Sequence, residues 1–265
     1  MLRECAVKGS FYPADEKEVR EMVNGFLAGV PEPKEKSRIV IAPHAGYVCS
    51  GKTVAYAFQS LKKADCYIIL SPNHTGLGEP ISIYPDGSWR SPLGEVKVNE
   101  EIASRIAHKM NLERDELAHI REHSIEVQLP FLQAKFREIS IVPITIAENR
   151  LEKLKELGKV LAEIMKTEKV CIVASSDFSH YLSEERAKKE DLEAISFIEK
   201  FDEDGFYGLV NRKNRSICGY SGIVTSIVVA REIGLKRAKL LSYTSSAEIT
   251  EDKSNVVGYA TISFK

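Results

Sequence analysis

The sequence predicts an α/β fold in which a mixed, mostly parallel central sheet carries helices on both faces. Short apolar runs rich in Val and Ile, typical of strands buried on both sides, alternate with longer amphipathic segments. This alternation is typical of strand–helix–strand units, whose crossovers are right-handed by default. Because no internal repeat or low-complexity linker divides the chain, we predict a single domain over residues 1–265.

The predicted elements follow in a regular order. Residues 1–12 form an extended arm, and residues 80–98, broken by Asp, Gly and Pro, form a β-excursion. Apolar runs predict four buried strands and two closing strands, over residues 38–42, 66–70, 139–146, 169–174, 239–246 and 256–264. Apolar residues at helical spacing predict helices over residues 14–27, 53–63, 99–109, 123–136, 151–165, 187–199, 206–211 and 223–233, and Pro130 interrupts the fourth.

Composition limits the classes of partner. The chain is 43% hydrophobic and 28% charged, with a formal net charge of -1, so it has no basic excess that would attract nucleic acid or anionic lipid. It contains neither a signal peptide nor an apolar run of membrane-spanning length. The five cysteines are odd in number and form no CxxC pair, which is typical of reduced thiols. We therefore predict a soluble, cytoplasmic protein.

Three predicted strands end in small residues followed by a proton-active side chain. His44 follows the strand at 38–42, His74 follows the strand at 66–70, and Asp177 and His180 follow the strand at 169–174. If these strands are parallel neighbours, their polar ends converge at one edge of the sheet, where open α/β folds bind ligands. The sequence therefore predicts a site at this edge.

The residues alone leave two interpretations of each group open. His44 and His74 are either metal ligands, since imidazole commonly binds Zn, Cu and Fe, or loop histidines bonded to backbone. Asp177 is either a helix N-cap or part of the site, and His180 is placed to act as a general acid or base.

A second histidine cluster lies further along the chain. His123 and Glu126, at i and i+3, share one face of a helix and form either a surface pair or part of a site. His119 and His123, at i and i+4, have the spacing of two metal ligands, but HIREHSIE lacks the HExxH order of zinc proteases.

Cys218 lies just before an apolar helix. The helix start would lower the pKa of the thiol and favour the thiolate that binds metals, and the alternative is a buried, inert thiol. No GxSxG elbow, P-loop or GxGxxG fingerprint is present, so serine hydrolysis and nucleotide binding have no support from motifs.

Taken together, five motifs resemble the Memo (mediator of cell motility) family. They occur in the family's order over nearly the whole chain: APHAGY, SPNH, EHSIEVQLPF, SSDFSHY and ICGYSGI. Memo proteins are similar in fold to class III extradiol dioxygenases, non-haem iron enzymes that open catechol rings. The resemblance therefore implies a class III extradiol dioxygenase-like fold with a metal site in a cleft.

The resemblance also implies roles for individual residues. The metal ligands are His44, His74 and Cys218; His180 takes the position of the dioxygenases' catalytic histidine, with Asp177 beside it; and His123 and Glu126 line the cleft. A thiolate replaces the usual carboxylate ligand, so the expected cofactor is Fe(II) or Cu, with Zn also tolerated.

Three functions follow as hypotheses. The first is a metal-dependent, dioxygenase-like redox protein acting on a small-molecule or peptide ligand in the cleft. The second is a non-enzymatic binding module that kept the cleft and lost the chemistry. The third is a zinc-dependent hydrolase with His180 or Glu126 as its base. The oligomeric state and the substrate are not predicted.

Overall fold

The computed structural model describes all 265 residues as alternating strands and helices. The strands are β1 Leu2–Arg3, β2 Ile39–Ala42, β3 Cys66–Pro72, β4 Ile81–Ile83, β5 Ser88–Ser91, β6 Gly94–Val98, β7 Ser140–Ile146, β8 Val170–Ser175, β9 His180–Leu182, β10 Ala238–Ser245 and β11 Val256–Phe264. The helices are α1 Glu16–Ala28, α2 Tyr47–Ser60, α3 Glu100–Met110, α4 Leu129–Lys135, α5 Leu151–Thr167, α6 Glu184–Glu199, α7 Glu203–Arg212, α8 Tyr220–Glu232 and α9 Ala247–Thr250.

All the strands belong to one mixed sheet. Its main path runs β1-β5-β6-β7-β3-β8-β2-β11-β10, with β4 paired to β7 and β9 paired to β11. The central run β6-β7-β3-β8-β2 is parallel throughout, whereas β11 and β10 add to it antiparallel. Because β3, β8 and β2 are parallel neighbours, the loops after them leave the sheet at the same edge.

Helices cover both faces of this sheet, as the sequence predicts. One layer contains α1, α2 and α4, and the other contains α3, α5, α7 and α8, with α6 packed against α7 and the β10–β11 end of the sheet. The central strands β2, β3 and β8 are buried along their whole length, and one core of 69 buried residues extends between sheet and helices. No helix combines the length and the apolar content needed to cross a membrane.

Three predicted helices, over 187–199, 206–211 and 223–233, begin three residues earlier in the structure, and two others differ more. The helix predicted from residue 53 begins at Tyr47, whose ring is buried and whose backbone N–H donates to the Phe11 carbonyl at 2.8 Å, a contact with the N-terminal arm. The helix predicted over 123–136 is a turn, a short 3-10 segment at 126–128 and then α4. Pro130 stands in the first turn of α4, where proline is favoured, so it starts this helix rather than interrupting it.

The α5–α8 contact depends on a glycine, which gives a stability prediction. A Cβ on Gly158 would lie 2.7 Å from the Cβ of Val228 and 3.0 Å from the Thr225 carbonyl oxygen. We expect Gly158→Ala to lower the free energy of unfolding by about 1–3 kcal/mol through overpacking. Gly25 in α1 has open space around it, so Gly25→Ala is the matched control and should stabilise by about 0.5–1 kcal/mol. Urea unfolding of both variants measures the difference, and equal effects would contradict the packing argument.

Candidate metal centre

The ends of two parallel strands, β2 and β3, and the start of helix α8 bring the predicted ligands together. His44 follows β2, His74 follows β3, and Cys218 precedes α8. Their ligand atoms all lie within 4.8 Å of one another, and His44 Nε2 is 3.3 Å from Cys218 Sγ. The two imidazole rings meet edge to face, with centroids 5.2 Å apart. Residues separated by up to 174 positions therefore form one compact group with two nitrogen donors and one sulfur donor.

Hydrogen bonds fix the proton on the His44 ring. Ser175 Oγ donates its single proton to the Ser124 carbonyl at 2.7 Å and accepts a hydrogen bond from Gln128 Nε2 at 2.9 Å. Its contact with His44 Nδ1 at 3.0 Å is then satisfied only if Nδ1 carries a hydrogen. The lone pair of His44 consequently lies on Nε2, the nitrogen that faces Cys218. Burial, followed by the neighbouring His74, lowers the pKa of His44 well below its usual value, so the ring is neutral and able to bind a metal.

Glu122 orients the second histidine, although we did not identify it from the sequence. Its side chain is fully buried; Oε1 accepts from His74 Nδ1 at 2.9 Å, and Oε2 accepts from the His74 backbone N–H at 2.6 Å. Burial disfavours the carboxylate, but these bonds and that from the Ser124 N–H outweigh it and hold the pKa of Glu122 well below its usual value. Burial lowers the pKa of His74, but the hydrogen bond to Glu122 and the negative charges of Glu122 and Asp177 together outweigh it, so this pKa is raised. His74 therefore presents Nε2 to the site, in the carboxylate–histidine arrangement common around protein-bound metals.

This arrangement predicts a large effect of a small substitution. We expect Glu122→Gln to weaken metal binding by about 10–100-fold, because an amide has one acceptor oxygen and its NH2 group would face a His74 N–H. Competition titration of Zn(II) against a chromophoric chelator measures the affinity. Glu113→Gln, an exposed carboxylate in the same connection, is the matched control. Equal affinities of the two variants would show that Glu122 does not orient His74.

Cys218 is protonated in the absence of metal, which agrees with the interpretation of a buried thiol and not with a thiol whose pKa is lowered by the helix start. It precedes the first turn of α8, but burial, followed by the nearby Asp177, raises the pKa of its thiol well above the usual value. The interpretation of a thiol pKa lowered by the helix start is wrong, because desolvation outweighs the helix dipole here. A metal that binds Sγ must displace this proton.

Asp177 lies in the turn after β8, and His180 is the first residue of β9, directly after that turn. Asp177 Oδ1 accepts the His44 backbone N–H at 2.8 Å, and Oδ2 is 4.0 Å from His44 Nε2. Burial raises the pKa of Asp177 to about 6, despite the hydrogen bond from the His44 N–H. His180 is not part of the ligand group; its Nδ1–H donates to the Ser216 carbonyl at 2.7 Å, which leaves Nε2 as an acceptor.

A buried carboxylate of α6 holds this turn in place. Asp191 Oδ1 accepts from the backbone N–H and the hydroxyl of Ser179 at 3.0 and 2.6 Å, and Tyr243 donates to Oδ2 at 2.8 Å. The Gly258 N–H also donates to the Ser179 carbonyl at 2.8 Å. Ser179, the residue immediately before His180, is therefore held by hydrogen bonds to both α6 and β11.

His123 and Glu126, predicted together, are separated in the structure. His123 stacks on His74 with centroids 4.8 Å apart and lies 5.5 Å from the His44 ring, so it stands beside the ligand group. Burial lowers the pKa of His123. Phe11 of the N-terminal arm packs on its other side at 4.6 Å.

Glu126 is instead fully buried against the N-terminal arm. Its carboxylate pairs with the Arg3 guanidinium, accepts from the Tyr12 hydroxyl, and accepts the backbone N–H groups of Ala6 and Val7 at 2.7 and 3.1 Å. The prediction that His123 and Glu126 share one face of a helix is wrong, because residues 121–125 form a turn rather than a helix. The oxygens of Glu126 are therefore occupied by the arm and not directed to a ligand in the cleft.

His119 does not join the ligand group either. It is fully buried, its two ring nitrogens lie 2.9 Å from the Ser82 hydroxyl and 3.2 Å from the Thr145 hydroxyl, and burial lowers its pKa to about 4. The i, i+4 spacing with His123 has no structural consequence, because no helix connects the two residues.

The donor set fits a transition metal. Two imidazole nitrogens and a sulfur are ligands for Zn, Cu and Fe rather than for Mg or Ca, which prefer oxygen. His44 Nε2 contacts the Cys218 thiol at 3.3 Å and lies 4.0 Å from Asp177 Oδ2, and Cys218 Sγ lies 3.6 Å from the Asp177 carbonyl oxygen. None of these contacts is a short, strong hydrogen bond that would prevent the donor atoms from binding a metal. The site can therefore hold a metal through these three side chains, with His123, His180 and Asp177 around it.

Comparison with known proteins identifies the family of this chain and a protein that shares its fold. A family model described as "Memo-like protein" matches residues 3–263. A MEMO1 family protein of Methanosarcina mazei is 40% identical over 264 residues, covering 98% of each chain, and one of Aquifex aeolicus is 38% identical over 259 residues, covering 97% of each. An uncharacterised protein of Escherichia coli K12 superposes with a TM-score of 0.58 at 10% identity, over 86% of this chain and 99% of that one, which shows a shared fold. This chain belongs to the Memo family.

Proposed function

We propose that this chain is a metal-dependent, dioxygenase-like redox protein in which His44, His74 and Cys218 hold iron or copper. The observation that carries the proposal is the convergence of two oriented imidazole Nε2 atoms and one thiol within 4.8 Å. Three protein ligands leave coordination positions open, as in catalytic rather than closed structural sites. The thiolate makes the donor set softer than two histidines and a carboxylate, which favours copper or thiolate-bound iron and also tolerates zinc.

The bound metal would supply electron transfer and activation of a small molecule at its open positions. Around it, we assign proton handling to His180 and Asp177. His180 presents Nε2 as an acceptor because Nδ1 donates to Ser216. Asp177, whose pKa of about 6 lies close to neutral, gains or loses a proton more readily than an exposed aspartate does near pH 6 to 7.

We further propose that the cleft accepts a small molecule or a peptide and that the protein works in the cytoplasm. His74 and His123, with side chains 35% and 21% exposed, give a ligand access to the centre, whereas His44 is buried beneath them. The five free thiols, none of them paired in a disulfide, support a reducing compartment.

Metal content and oxygen uptake test this proposal together. Protein purified without chelator is analysed by emission spectroscopy beside His44→Ala and Cys218→Ser, and the wild type is then loaded with Fe(II) and mixed with a panel of catechols. We expect about one iron or copper per chain in the wild type, much less in both variants, and oxygen uptake by the wild type. Equal metal content in all three proteins would contradict the assignment of His44 and Cys218 as metal ligands.

The same measurements separate the two other hypotheses. Zinc alone, with hydrolysis but no oxygen uptake, would favour the hydrolase, for which His180 remains as a base. Ligand binding that survives metal removal, without turnover of any kind, would favour the binding module.

A further inference from the structure

A basic cavity lies at the opposite edge of the sheet from the metal centre. It has a volume of about 580 Å³ and is lined by segments that precede β2, β3 and β7. Five lysines line it, Lys34, Lys36, Lys62, Lys63 and Lys135, against the two carboxylates of Glu32 and Glu35. The lining therefore carries a formal excess of three positive charges in a protein whose net charge is -1.

Two of these lysines form a prearranged pair. The side chains of Lys36 and Lys135 are only 26% and 20% exposed. Both ammonium groups are anchored on Gln59, Lys36 on its backbone carbonyl at 2.6 Å and Lys135 on its side-chain oxygen. The Gln59 amide is itself fixed, because it donates to the Leu27 carbonyl at 2.6 Å. The two cations are thus held side by side without being fully solvated.

A carboxylate of the protein itself already binds this pair of lysines. Glu32, in the connection between α1 and β2, is 57% exposed, and its Oε1 accepts from both Lys36 and Lys135, the latter at 3.1 Å. Hydrogen bonds from Lys36 and then Lys135 lower the pKa of Glu32 to about 2. Because an exposed loop carboxylate binds only weakly through such pairs, a dissolved anion of higher charge can displace it.

The remaining lysines are free to bind further negative charge. Lys34, Lys62 and Lys63 are exposed and have no carboxylate within 4.0 Å. Glu35 does not neutralise them, since it pairs with Arg237 at 3.2 Å and Lys265 at 3.8 Å.

We propose that this cavity binds an oligophosphate, one phosphate of which replaces the Glu32 carboxylate between Lys36 and Lys135 while the others contact Lys34, Lys62 and Lys63. Ammonium groups bind phosphate as point charges, and a lining with a formal excess of three positive charges favours an anion that carries several negative charges over a single carboxylate. The site is independent of the metal centre and of the function proposed for it.

Titration with pyrophosphate and triphosphate tests the proposal. Isothermal titration calorimetry of the full chain at low ionic strength should give one site per chain, tighter for triphosphate. Glu32→Gln removes the internal competitor and should raise the affinity about two- to fivefold. Glu21→Gln, which changes the net charge equally on the exposed face of α1, should change it by much less. Lys36→Ala combined with Lys135→Ala should lower the affinity about tenfold or more, whereas Lys17→Ala should not.

The Glu32 substitution keeps the test valid if the lysine variant unfolds, because Glu32 is an exposed loop residue. Equal effects of Glu32→Gln and Glu21→Gln would overturn the proposal, since they would indicate diffuse attraction to surface lysines. Absence of a saturable signal with both anions would overturn it as well.

Discussion

Cys218→Ser is expected to weaken Cu(I) binding by about 100-fold or more, and Zn(II) binding by a smaller factor. The substitution replaces the one soft donor with a hydroxyl, and Cu(I) depends on sulfur ligation more than Zn(II) does. Competition with a Cu(I)-specific chelator under anaerobic conditions measures the first affinity, and a zinc chelator measures the second. The same variant loaded with Co(II) should lack the sulfur-to-metal charge-transfer absorption that the wild type shows.

Cys49→Ser provides the matched control for this prediction. Cys49 lies in the first turn of α2 and, like Cys218, is a partly buried free thiol, but it does not belong to the ligand group. Its replacement should leave both affinities and the Co(II) spectrum unchanged. If Cys49→Ser and Cys218→Ser behave alike, the sulfur donor has been assigned to the wrong residue.

Arg3→Met is expected to produce the largest loss of stability, about 3–5 kcal/mol in the free energy of unfolding. The Arg3 side chain is 1% exposed; it pairs with the fully buried Glu126 and lies 4.4 Å above the Trp89 ring. Its Nε donates to the His119 carbonyl at 3.1 Å and its Nη2 donates to the Glu122 carbonyl at 2.5 Å, so it joins the arm to the turn that carries Glu122 and His123. Removing the guanidinium leaves the Glu126 carboxylate buried without its cation.

Two further variants identify the cause of that loss. Arg90→Met removes an arginine that is 44% exposed and paired with Glu4 and Glu95, and it should cost no more than about 1 kcal/mol. Combining Arg3→Met with Glu126→Gln should recover part of the loss, because no uncompensated charge then remains buried. Urea unfolding of the four proteins gives the comparison, and similar losses for Arg3→Met and Arg90→Met would contradict the role of the buried pair.

The position of the site followed from the sequence because parallel strand order is a strong constraint. The apolar runs before His44, His74 and Asp177 are neighbouring parallel strands, so their polar ends share one edge. Strand pattern alone did not select Cys218, which reaches the site through the start of α8 rather than through a strand. Its place before an apolar helix marked Cys218 as a candidate metal-binding thiol, and the family resemblance then assigned it to the same site as His44 and His74.

The surroundings of the ligands could not be predicted from local pattern. The prediction of a helix over EHSIE placed His123 and Glu126 on one helix face. In the structure, the turn at 121–125 directs His123 to the predicted metal ligands and Glu126 to the N-terminal arm. The same turn brings Glu122 to His74, a contact across 48 residues. Glu122 stands directly before His123 in the sequence, and this position could have marked it as a residue near the site. Its hydrogen bonds to His74, however, depend on the tertiary path of the loop.

The sequence could not decide between the two interpretations of the Cys218 thiol for a related reason. A helix start lowers the pKa of an exposed cysteine, but Cys218 is enclosed by its neighbours and lies near Asp177. Burial at this position depends on how α8 packs on the sheet, which no short segment of sequence specifies.

X-ray absorption spectroscopy of the metal-loaded protein tests the central claim most directly. Ligation by His44, His74 and Cys218 predicts one sulfur at about 2.3 Å and two imidazole nitrogens at about 2.0 Å, with the sulfur lost in Cys218→Ser and retained in Cys49→Ser. A spectrum that contains only nitrogen and oxygen neighbours, or a sulfur that persists in Cys218→Ser, would contradict it.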